Sequence, residues 1–202
     1  MKKTDRVVNG KPTYQYHKYE AALNLCQQRR RAIDVGGNIG LWAMNMVHDF
    51  ERVDSFEPVN EYADVFIKNA PGAVLHRVAL GESNGTVQMV KATANSCGDT
   101  RPRIKTDKDS SVVEGQAQMV TLDSYGLFSE VDLIKLDCEG YELHALKGGE
   151  QTILANRPVI VVEQKPGHGR SFGYKDDAAV DYLISLGMKK HSVISGDYIM
   201  VW

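Results

Sequence analysis

A glycine-rich turn directly after a short apolar run most constrains what this chain can form. Residues 32–35 read Ala-Ile-Asp-Val, and Gly36-Gly37-Asn38-Ile39-Gly40 follows them before a helix expected over residues 41–50. In parallel α/β sheets, a strand that ends in glycines and opens into a helix brings a small ligand to the helix N-terminus. Glycine allows this because it adopts positive φ angles and lets the backbone come close to the ligand. The turn therefore predicts a ligand site at the end of a buried strand.

Further strands and helices alternate along the chain. Apolar runs predict strands at residues 32–35, 53–56, 74–76, 86–90, 131–136 and 158–162. Helical spacing of apolar residues predicts helices at residues 41–50, 60–69, 142–155 and 176–186, with a break at Gly148-Gly149. The alternation predicts an α/β fold with a Rossmann-like, doubly wound and mostly parallel sheet. Ser195-Gly196-Asp197 predicts a C-terminal antiparallel hairpin that closes this sheet.

Two stretches fall outside the alternation. Residues 1–31 are expected to form an N-terminal extension with an amphipathic helix over residues 16–31. Residues 91–118 show no clear period and are rich in Ser, Asp, Thr and Gly, so they are expected to form an irregular insertion or lid. All 202 residues are expected to form a single domain, because this length is ordinary for one hydrophobic core.

The overall composition excludes several classes of protein. The net charge of −2 does not favour a nucleic-acid partner. The three cysteines, Cys26, Cys97 and Cys138, have no Cys-x-x-Cys spacing, which indicates reduced thiols rather than disulfides or a zinc site. No apolar run approaches the roughly 20 residues of a membrane span, and the first residues lack the apolar core of a signal peptide. We therefore expect no membrane partner and a cytoplasmic location.

Acidic residues stand at the ends of four predicted strands. They are Asp34, Glu57, Asp137 and Glu163. The carboxyl ends of parallel strands meet at one edge of the sheet, which is where such folds bind their ligands. A single acidic strand end is common, whereas four of them predict a site with an acidic rim.

The residue types in the turn distinguish between two nucleotide-like ligands. Asn38 stands where the dinucleotide fingerprint has its second glycine, and Asp34 would lie unfavourably close to a diphosphate. S-adenosylmethionine carries no phosphate, and its ammonium, sulfonium and ribose diol suit carboxylates. Glu57 follows the next strand and is placed to accept hydrogen bonds from the ribose hydroxyls. The residues therefore favour S-adenosylmethionine over NAD.

The chain resembles a known family at three places. Residues 33–40 resemble the first motif of class I methyltransferases, and Phe56-Glu57-Pro58 resembles the second. Residues 131–142, Val-Asp-Leu-Ile-Lys-Leu-Asp-Cys-Glu-Gly-Tyr-Glu, are similar to the signature segment of the FkbM-type methyltransferases, as are Leu146-Lys147-Gly148-Gly149 after them. The resemblance covers residues 32–163. Gly37 stands where alanine is usual in the family, and residues 91–118 match none of its motifs.

The resemblance implies a class I domain that transfers a methyl group from S-adenosylmethionine to a hydroxyl of a sugar or another small molecule. The acceptor is therefore expected to be a carbohydrate or small molecule. From their positions after the strands, Asp137 is expected to orient the acceptor or the methionine ammonium, Glu139 to contact the acceptor, and His168 to act as a general base, so these three are the predicted catalytic residues. Glu163 and Lys165 are expected to contact the acceptor, although Glu163 could instead simply pair with Lys165 or Lys135. The residues expected to bind the cofactor are Asp34, Gly36, Gly37, Asn38, Gly40, Glu57, Pro58, Val78 and Ala79.

Each catalytic assignment has an alternative. Glu139 could simply complement the dipole of the next helix, and His168 could be an exposed loop residue rather than a general base. Asp137, Glu139, Glu163 and His168 could together bind a divalent cation, although their spacing does not require one and we expect no metal. At the level of the whole chain, the alternatives are a non-catalytic domain that binds S-adenosylmethionine and an NAD-dependent enzyme.

Overall fold

The computed structural model describes residues 7–8, 11–12, 14–91, 100–103, 112–126 and 128–202. Its strands are β1 (Val7–Val8), β2 (Lys11–Pro12), β3 (Arg31–Val35), β4 (Arg52–Phe56), β5 (Val74–His76), β6 (Ala79–Leu80), β7 (Gly85–Lys91), β8 (Arg101–Pro102), β9 (Val112–Val120), β10 (Val131–Leu136), β11 (Val159–Glu163), β12 (Lys189–Ile194) and β13 (Asp197–Val201). Its helices are α1 (Tyr16–Leu23), α2 (Ala43–Asp49), α3 (Asn60–Asn69), α4 (Leu122–Tyr125), α5 (Glu142–Lys147), α6 (Glu150–Asn156) and α7 (Ala178–Ser185), with a 3₁₀ helix at Gly169–Phe172.

A seven-stranded sheet in the order β12-β13-β11-β10-β3-β4-β5 forms the centre of the protein. Its five strands from β11 to β5 run parallel, and β13 and β12 extend it antiparallel beside β11. From β3, the strands that follow in sequence, β4 and β5, lie on one side. From β10, the strand that follows, β11, lies on the other side, so the strand order reverses between β3 and β10. The α/β class, the mostly parallel sheet and the closing hairpin are confirmed.

Helices cover both faces of the central sheet, because the strands are buried on both sides. On β10, Leu133 packs among α1, α2 and α3, whereas Ile134 packs on the opposite face among α5, α6 and α7. All five residues of β11 are buried, as expected for a parallel strand between two layers of helices. The helix of the N-terminal extension is tied to the sheet by a buried ion pair in which Lys18 Nζ lies 2.9 Å from Asp197 Oδ1.

The stretch expected to be an irregular insertion contains ordered strands where the structure describes it. In a second, four-stranded sheet, β9 pairs antiparallel with β7 over their whole length, and β8 and β6 lie at its edges. The expectation is therefore wrong for Lys91 and for residues 101–102 and 112–118, while residues 92–99 and 104–111 lie outside the described residues. The register shifts between Met89 and Val90, and Gly115 adopts a φ of 123°. Such a bulge interrupts the two-residue period that would have predicted a strand.

Most other predicted elements are found with shifted ends. The helix after the glycine turn begins at Ala43 rather than at residue 41, and α1 ends at Leu23 rather than at residue 31. The predicted break at Gly148-Gly149 separates α5 from α6. Among the residues that the structure describes, no helix is long and apolar enough to cross a membrane.

Gly148 provides a test of the packing of the α5–α6 junction against the residue that follows β6. A Cβ atom at this position would lie 1.9 Å from the carbonyl oxygen of Gly81, which is backbone and cannot move aside cheaply. We expect Gly148→Ala to lower the free energy of unfolding by roughly 1–3 kcal/mol, the usual cost of overpacking.

The matched control is Gly85→Ala, because a Cβ atom at Gly85 would have no neighbour within 4 Å. This variant should change the free energy of unfolding by no more than about 0.5 kcal/mol. Urea denaturation followed by circular dichroism measures both values. Equal stabilities of the two variants would show that the close approach at Gly148 is absent in solution.

Candidate functional site

A cavity opens at the carboxyl ends of the parallel strands, beside the point where the strand order reverses. In doubly wound sheets this crevice is the usual ligand site. The cavity is lined by Val35, Gly36, Asn38, Phe56, Glu57, Pro58, Tyr62, Val78, Ala79, Leu80, Met89, Thr100, Pro102, Asp137, Cys138, Glu139 and Tyr141.

The glycines of the turn serve different purposes. Gly36 has a φ of +77°, and a Cβ atom there would lie 2.0 Å from the carbonyl oxygen of Asp137, so only glycine fits between β3 and β10. Gly37 and Gly40 instead face the ring of Phe66 on α3, where added Cβ atoms would lie 3.0 and 3.1 Å from the nearest ring carbons. The structure thus places Gly36 at the cavity wall, and Gly37 and Gly40 behind it in the packing of the turn against α3.

Glu57 joins the end of β4 to the glycine turn. Its Oε2 accepts a hydrogen bond of 2.8 Å from the backbone N–H of Asn38, and its Oε1 accepts one of 2.8 Å from that of Val59. Asn38 is held in a left-handed conformation with a φ of 48°. Burial raises the pKa of Glu57 to about 7, against the two hydrogen bonds that favour its charged form. Each carboxylate oxygen keeps a further lone pair with which it can bind a ligand hydroxyl.

The wall opposite the glycine turn is apolar. Val78 and Ala79 follow β5 and line the cavity together with Leu80 and Phe56, while Pro58 continues the wall after Glu57. Of the nine residues predicted to contact the cofactor, the cavity is thus lined by Gly36, Asn38, Glu57, Pro58, Val78 and Ala79. A flat, uncharged ring system would fit against this side.

Asp34 lies beneath the cavity rather than in its wall. Its side chain is completely buried, and Lys135 Nζ lies 3.4 Å from Asp34 Oδ1 and 3.6 Å from Asp137 Oδ2. The same ammonium donates a hydrogen bond of 3.3 Å to the carbonyl oxygen of Gly36. Burial favours a neutral amine, but the charges of Asp34 and Asp137 outweigh it and raise the pKa of Lys135. Any effect of Asp34 on a ligand is therefore transmitted through Lys135.

Lys135 is a functional candidate that was missed among the predicted site residues. The available signal was a lysine near the end of the six-residue strand Val131–Leu136, in which Asp132 is the other polar residue. A lysine in a buried strand is rare unless it is paired. Lys135 is 5% exposed, which places a positive charge directly under the junction of β3 and β10.

Three carboxyl groups meet at the other end of the cavity. Oxygens of Asp137, Glu139 and Glu163 all lie within 4.8 Å of one another, although only Asp137 and Glu139 line the cavity. Lys165 Nζ lies 2.8 Å from Glu163 Oε2 and 3.4 Å from Glu139 Oε1. Such a cluster resembles a cation site, but the Lys165 ammonium already supplies the positive charge that a metal ion would bring.

Carboxylate oxygens of Asp137 and Glu163 lie within 4.8 Å of each other, and the two groups ionise at different pH values. Burial opposes the ionisation of Asp137, but the Lys135 ammonium and the interaction with Glu163 outweigh it and lower the pKa of Asp137. Burial and the charge of Asp137 raise the pKa of Glu163 to about 8. Near neutral pH, the pair therefore holds one proton, predominantly on Glu163.

His168 contacts the acidic cluster from the side. Its Nδ1 lies 3.1 Å from Glu139 Oε2, and its ring is not part of the cavity lining. Burial and the neighbouring Lys165 ammonium lower the pKa of His168, so the neutral ring is favoured. A Cβ atom on Gly140 would lie 2.6 Å from the carbonyl oxygen of His168, which explains the glycine in the signature segment. His168 thus orients Glu139, and its role as a general base stays a prediction.

The loop that carries these carboxylates is held by Glu142, a second residue missed among the predicted site residues. Glu142 Oε1 accepts hydrogen bonds of 2.8 Å from Cys138 N–H and 3.1 Å from Gly140 N–H. Burial raises the pKa of Glu142 to about 7. Between these two donors, Glu139 adopts a left-handed conformation with a φ of 54°, which a non-glycine residue does at an energetic cost.

The second sheet supplies the roof of the cavity. Thr100 Oγ1 lies 3.1 Å from the hydroxyl of Tyr62 on α3, and the Arg101 guanidinium lies 5.7 Å from the ring centre of Phe172 in the 3₁₀ helix. Residues 100–102 therefore cross the cavity from one side to the other. Tyr141 completes the mouth, with its ring stacked on His144 at 4.1 Å.

Comparison with known proteins gives a family for this arrangement. The model of the methyltransferase FkbM domain matches residues 34–190. The structure of a methyltransferase FkbM from Methylobacillus flagellatus KT is similar with a TM-score of 0.55 and 19% identity, over 85% of this chain and 43% of that one. The chain therefore spans less than half the length of that relative. No curated protein matches the sequence at a significant level.

Two further structures share the fold at low sequence identity. The precorrin-6y C5,15-methyltransferase of Geobacter metallireducens GS-15 has a TM-score of 0.53 and 11% identity, and the match covers 100% of this chain and 92% of that one. A protein of Streptococcus mutans, assigned as a methyltransferase and solved in complex with SAH, has a TM-score of 0.53 and 8% identity, over 91% and 93% of the two chains. Because the family model covers most of the chain, including both ends of the cavity, the protein belongs to the methyltransferase FkbM domain family.

Proposed function

We propose that this protein transfers the methyl group of S-adenosylmethionine to a hydroxyl group of a sugar or another small molecule. The observation that carries the proposal is the charge of the cavity wall. Three carboxylates line it, and none of its lining residues within the described chain is a lysine or arginine. Such a wall suits a cationic ligand and repels the diphosphate of a dinucleotide, and the family is one of methyltransferases.

The geometry supports one orientation of the methyl donor. The spare lone pairs of Glu57 face the cavity beside Asn38 and are suited to a ribose diol. Val78 and Ala79 offer the apolar surface for the adenine ring. The sulfonium and its methyl group then point towards Asp137, at the other end of the cavity. Lys135 and Asp34 support this end from below without contacting the ligand.

The reaction is a displacement at the sulfonium methyl group. The acceptor oxygen forms a bond to the methyl carbon while the carbon–sulfur bond breaks, and the sulfur leaves as a neutral thioether. Holding the two reactants in line supplies most of the acceleration. The acceptor hydroxyl also loses its proton, for which Asp137 is the nearest carboxylate in the cavity wall, with Glu139 beside it.

The acceptor end combines features that suit a polyhydroxylated molecule. Asp137 and Glu139 can accept hydrogen bonds from neighbouring hydroxyls, and the Tyr141 ring offers an apolar edge at the mouth. Residues 100–102 limit the height of the opening. These features favour a carbohydrate or a hydroxylated small molecule over a long nucleic acid.

Binding of the cofactor product tests the role of Glu57. We expect wild-type protein to bind S-adenosylhomocysteine in isothermal calorimetry and not to bind NAD. Glu57→Gln should weaken that binding roughly 10- to 100-fold, because a hydrogen bond to a charged group contributes about 1.5–3 kcal/mol.

Glu51→Gln is the matched control for this experiment. Glu51 is exposed and lies immediately before β4, whereas Glu57 lies immediately after it, so the same substitution is made at opposite ends of one strand. The control should bind like the wild type. Tight binding of NAD, or unchanged binding by Glu57→Gln, contradicts the proposed cofactor site.

Methyl transfer itself tests the role of Asp137. The assay follows formation of S-adenosylhomocysteine with a panel of methyl glycosides and hydroxylated small molecules as acceptors. For an acceptor that the wild type methylates, Asp137→Asn should lower kcat by roughly 10²- to 10⁴-fold, the usual contribution of a general base.

The corresponding control is Asp181→Asn, at an exposed position on α7. It should retain the wild-type kcat, and both variants should still bind S-adenosylhomocysteine. Full activity of Asp137→Asn would exclude it as the residue that receives the proton. Cofactor binding without methylation of any acceptor in the panel would favour a non-catalytic binding domain.

A further inference from the structure

The carboxyl group of Glu163 does not reach the cavity, although it is built into the site. Glu163 ends β11 next to the end of β10, and its side chain is 8% exposed. Its carboxylate lies within 4.8 Å of that of Asp137, which lines the cavity, while Lys165 Nζ lies 2.8 Å from Glu163 Oε2. Asp137 thus separates Glu163 from the cavity, and Lys165 separates it from solvent.

Asp137 alone is poorly suited to take a proton from a hydroxyl. The Lys135 ammonium, 3.6 Å away, stabilises its charged form and so weakens it as a base. A general base works best when its pKa lies near the working pH. A second carboxyl group beside Asp137, with a pKa of about 8, would supply the basicity that Asp137 lacks.

We propose that Asp137 and Glu163 act together as one base, in which Asp137 receives the acceptor proton and Glu163 holds it. The inference rests on the proposed methyl transfer to a hydroxyl. Asp137 is the catalytic residue because it reaches the cavity, whereas Glu163 acts through Asp137 as a positioning residue. Lys165 is the cation that allows Glu163 to ionise again.

The proton balance closes over one cycle. Before transfer both carboxyl groups are ionised, and the acceptor hydroxyl donates its hydrogen bond to Asp137. As the methyl carbon leaves sulfur for the acceptor oxygen, that oxygen's proton passes to Asp137 and from there to the neighbouring carboxylate of Glu163. The products are a methyl ether, a neutral thioether and one protonated carboxyl group. Glu163 then releases its proton to solvent beside Lys165, and the pair is reset.

The groups around the pair set the pH at which it works. Lys135 faces Asp137 from near the end of β10, and Asp197 at the start of β13 lies beside Glu163 in register. The further charged or titratable groups around the pair are Asp34, Cys138, Glu139, Glu142, Lys165, His168, Arg101 and, through Asp197, Lys18. Because Glu163 has a pKa of about 8, the doubly ionised pair becomes the main form only above that pH.

A cation in the cavity should therefore displace the shared proton. The positive charge of the sulfonium in S-adenosylmethionine stabilises the doubly ionised pair. The thioether of S-adenosylhomocysteine is neutral and stabilises it less. Calorimetric titrations in two buffers of different ionisation enthalpy, at pH values around 8, give the number of protons released by each ligand. We expect the wild type to release more protons with the sulfonium than Glu163→Gln does, a variant that keeps a hydrogen-bond donor for Asp137.

The amino group of the ligand titrates in the same way with the wild type and with Glu163→Gln. A difference in proton release between these two proteins therefore comes from the Asp137–Glu163 pair. Lys165→Met, at a side chain that is 44% exposed, is a second variant that should fold normally. Loss of its positive charge raises the pKa of Glu163, so the greatest proton release should move to higher pH. Glu51→Gln should behave like the wild type.

Turnover completes the test with an acceptor that the wild type methylates. We expect kcat/KM to rise with pH and to level off above about pH 8 in the wild type. In Glu163→Gln, kcat/KM should no longer rise with pH and should be roughly 10²-fold lower than in the wild type. Its binding of S-adenosylhomocysteine should be unchanged. Equal proton release or equal pH profiles in wild type and Glu163→Gln would overturn the shared base while leaving the methyltransferase intact. Failure of the wild type to bind either ligand would instead overturn the proposed function.

Discussion

The rest of the site depends on the ion pairs that the buried ammonium of Lys135 forms with two carboxylates. It lies between two parallel strands at the point where the order of the sheet reverses, and it contacts Asp34 on one strand, Asp137 after the other and the carbonyl of Gly36 in the turn. Removing one partner from a buried ion pair is costly, because it leaves an uncompensated charge. The ammonium thus compensates the two carboxylates and fixes the glycine turn against the loop that carries Asp137.

The two ends of the cavity around Lys135 differ in their chemistry. At one end, Glu57 and the apolar residues Val78 and Ala79 offer a surface for a nucleoside. At the other, Asp137 and Glu139 stand in the wall with Glu163 and Lys165 behind them. The signature segment supplies a strand end, two of the three clustered carboxylates and a tight loop within residues 131–142. Glu142 makes this possible by accepting hydrogen bonds from two N–H groups of the loop.

How far each element could be predicted depends on the range of the interactions that form it. The strand-turn-helix at residues 32–50 and the strand over Val131–Leu136 were predictable, because their apolar patterns are local and strong. The strand β9 was not, because a bulge and a glycine interrupt its period and its partner β7 lies more than twenty residues away. Lys135 was overlooked for a similar reason, since a lysine becomes informative only when the two carboxylates around it are known.

The sequence by itself determined the class of fold, the position of the ligand turn and the acidic residues at the strand ends, because each follows from local pattern or residue type. Only the tertiary structure decided which of these carboxylates reach the cavity. Asp34 lies beneath it, Glu57 and Asp137 face it, and Glu163 stands behind Asp137. The physical reason is that burial and the distance to a neighbouring charge govern what a carboxyl group does, and both depend on residues that are far apart in the chain.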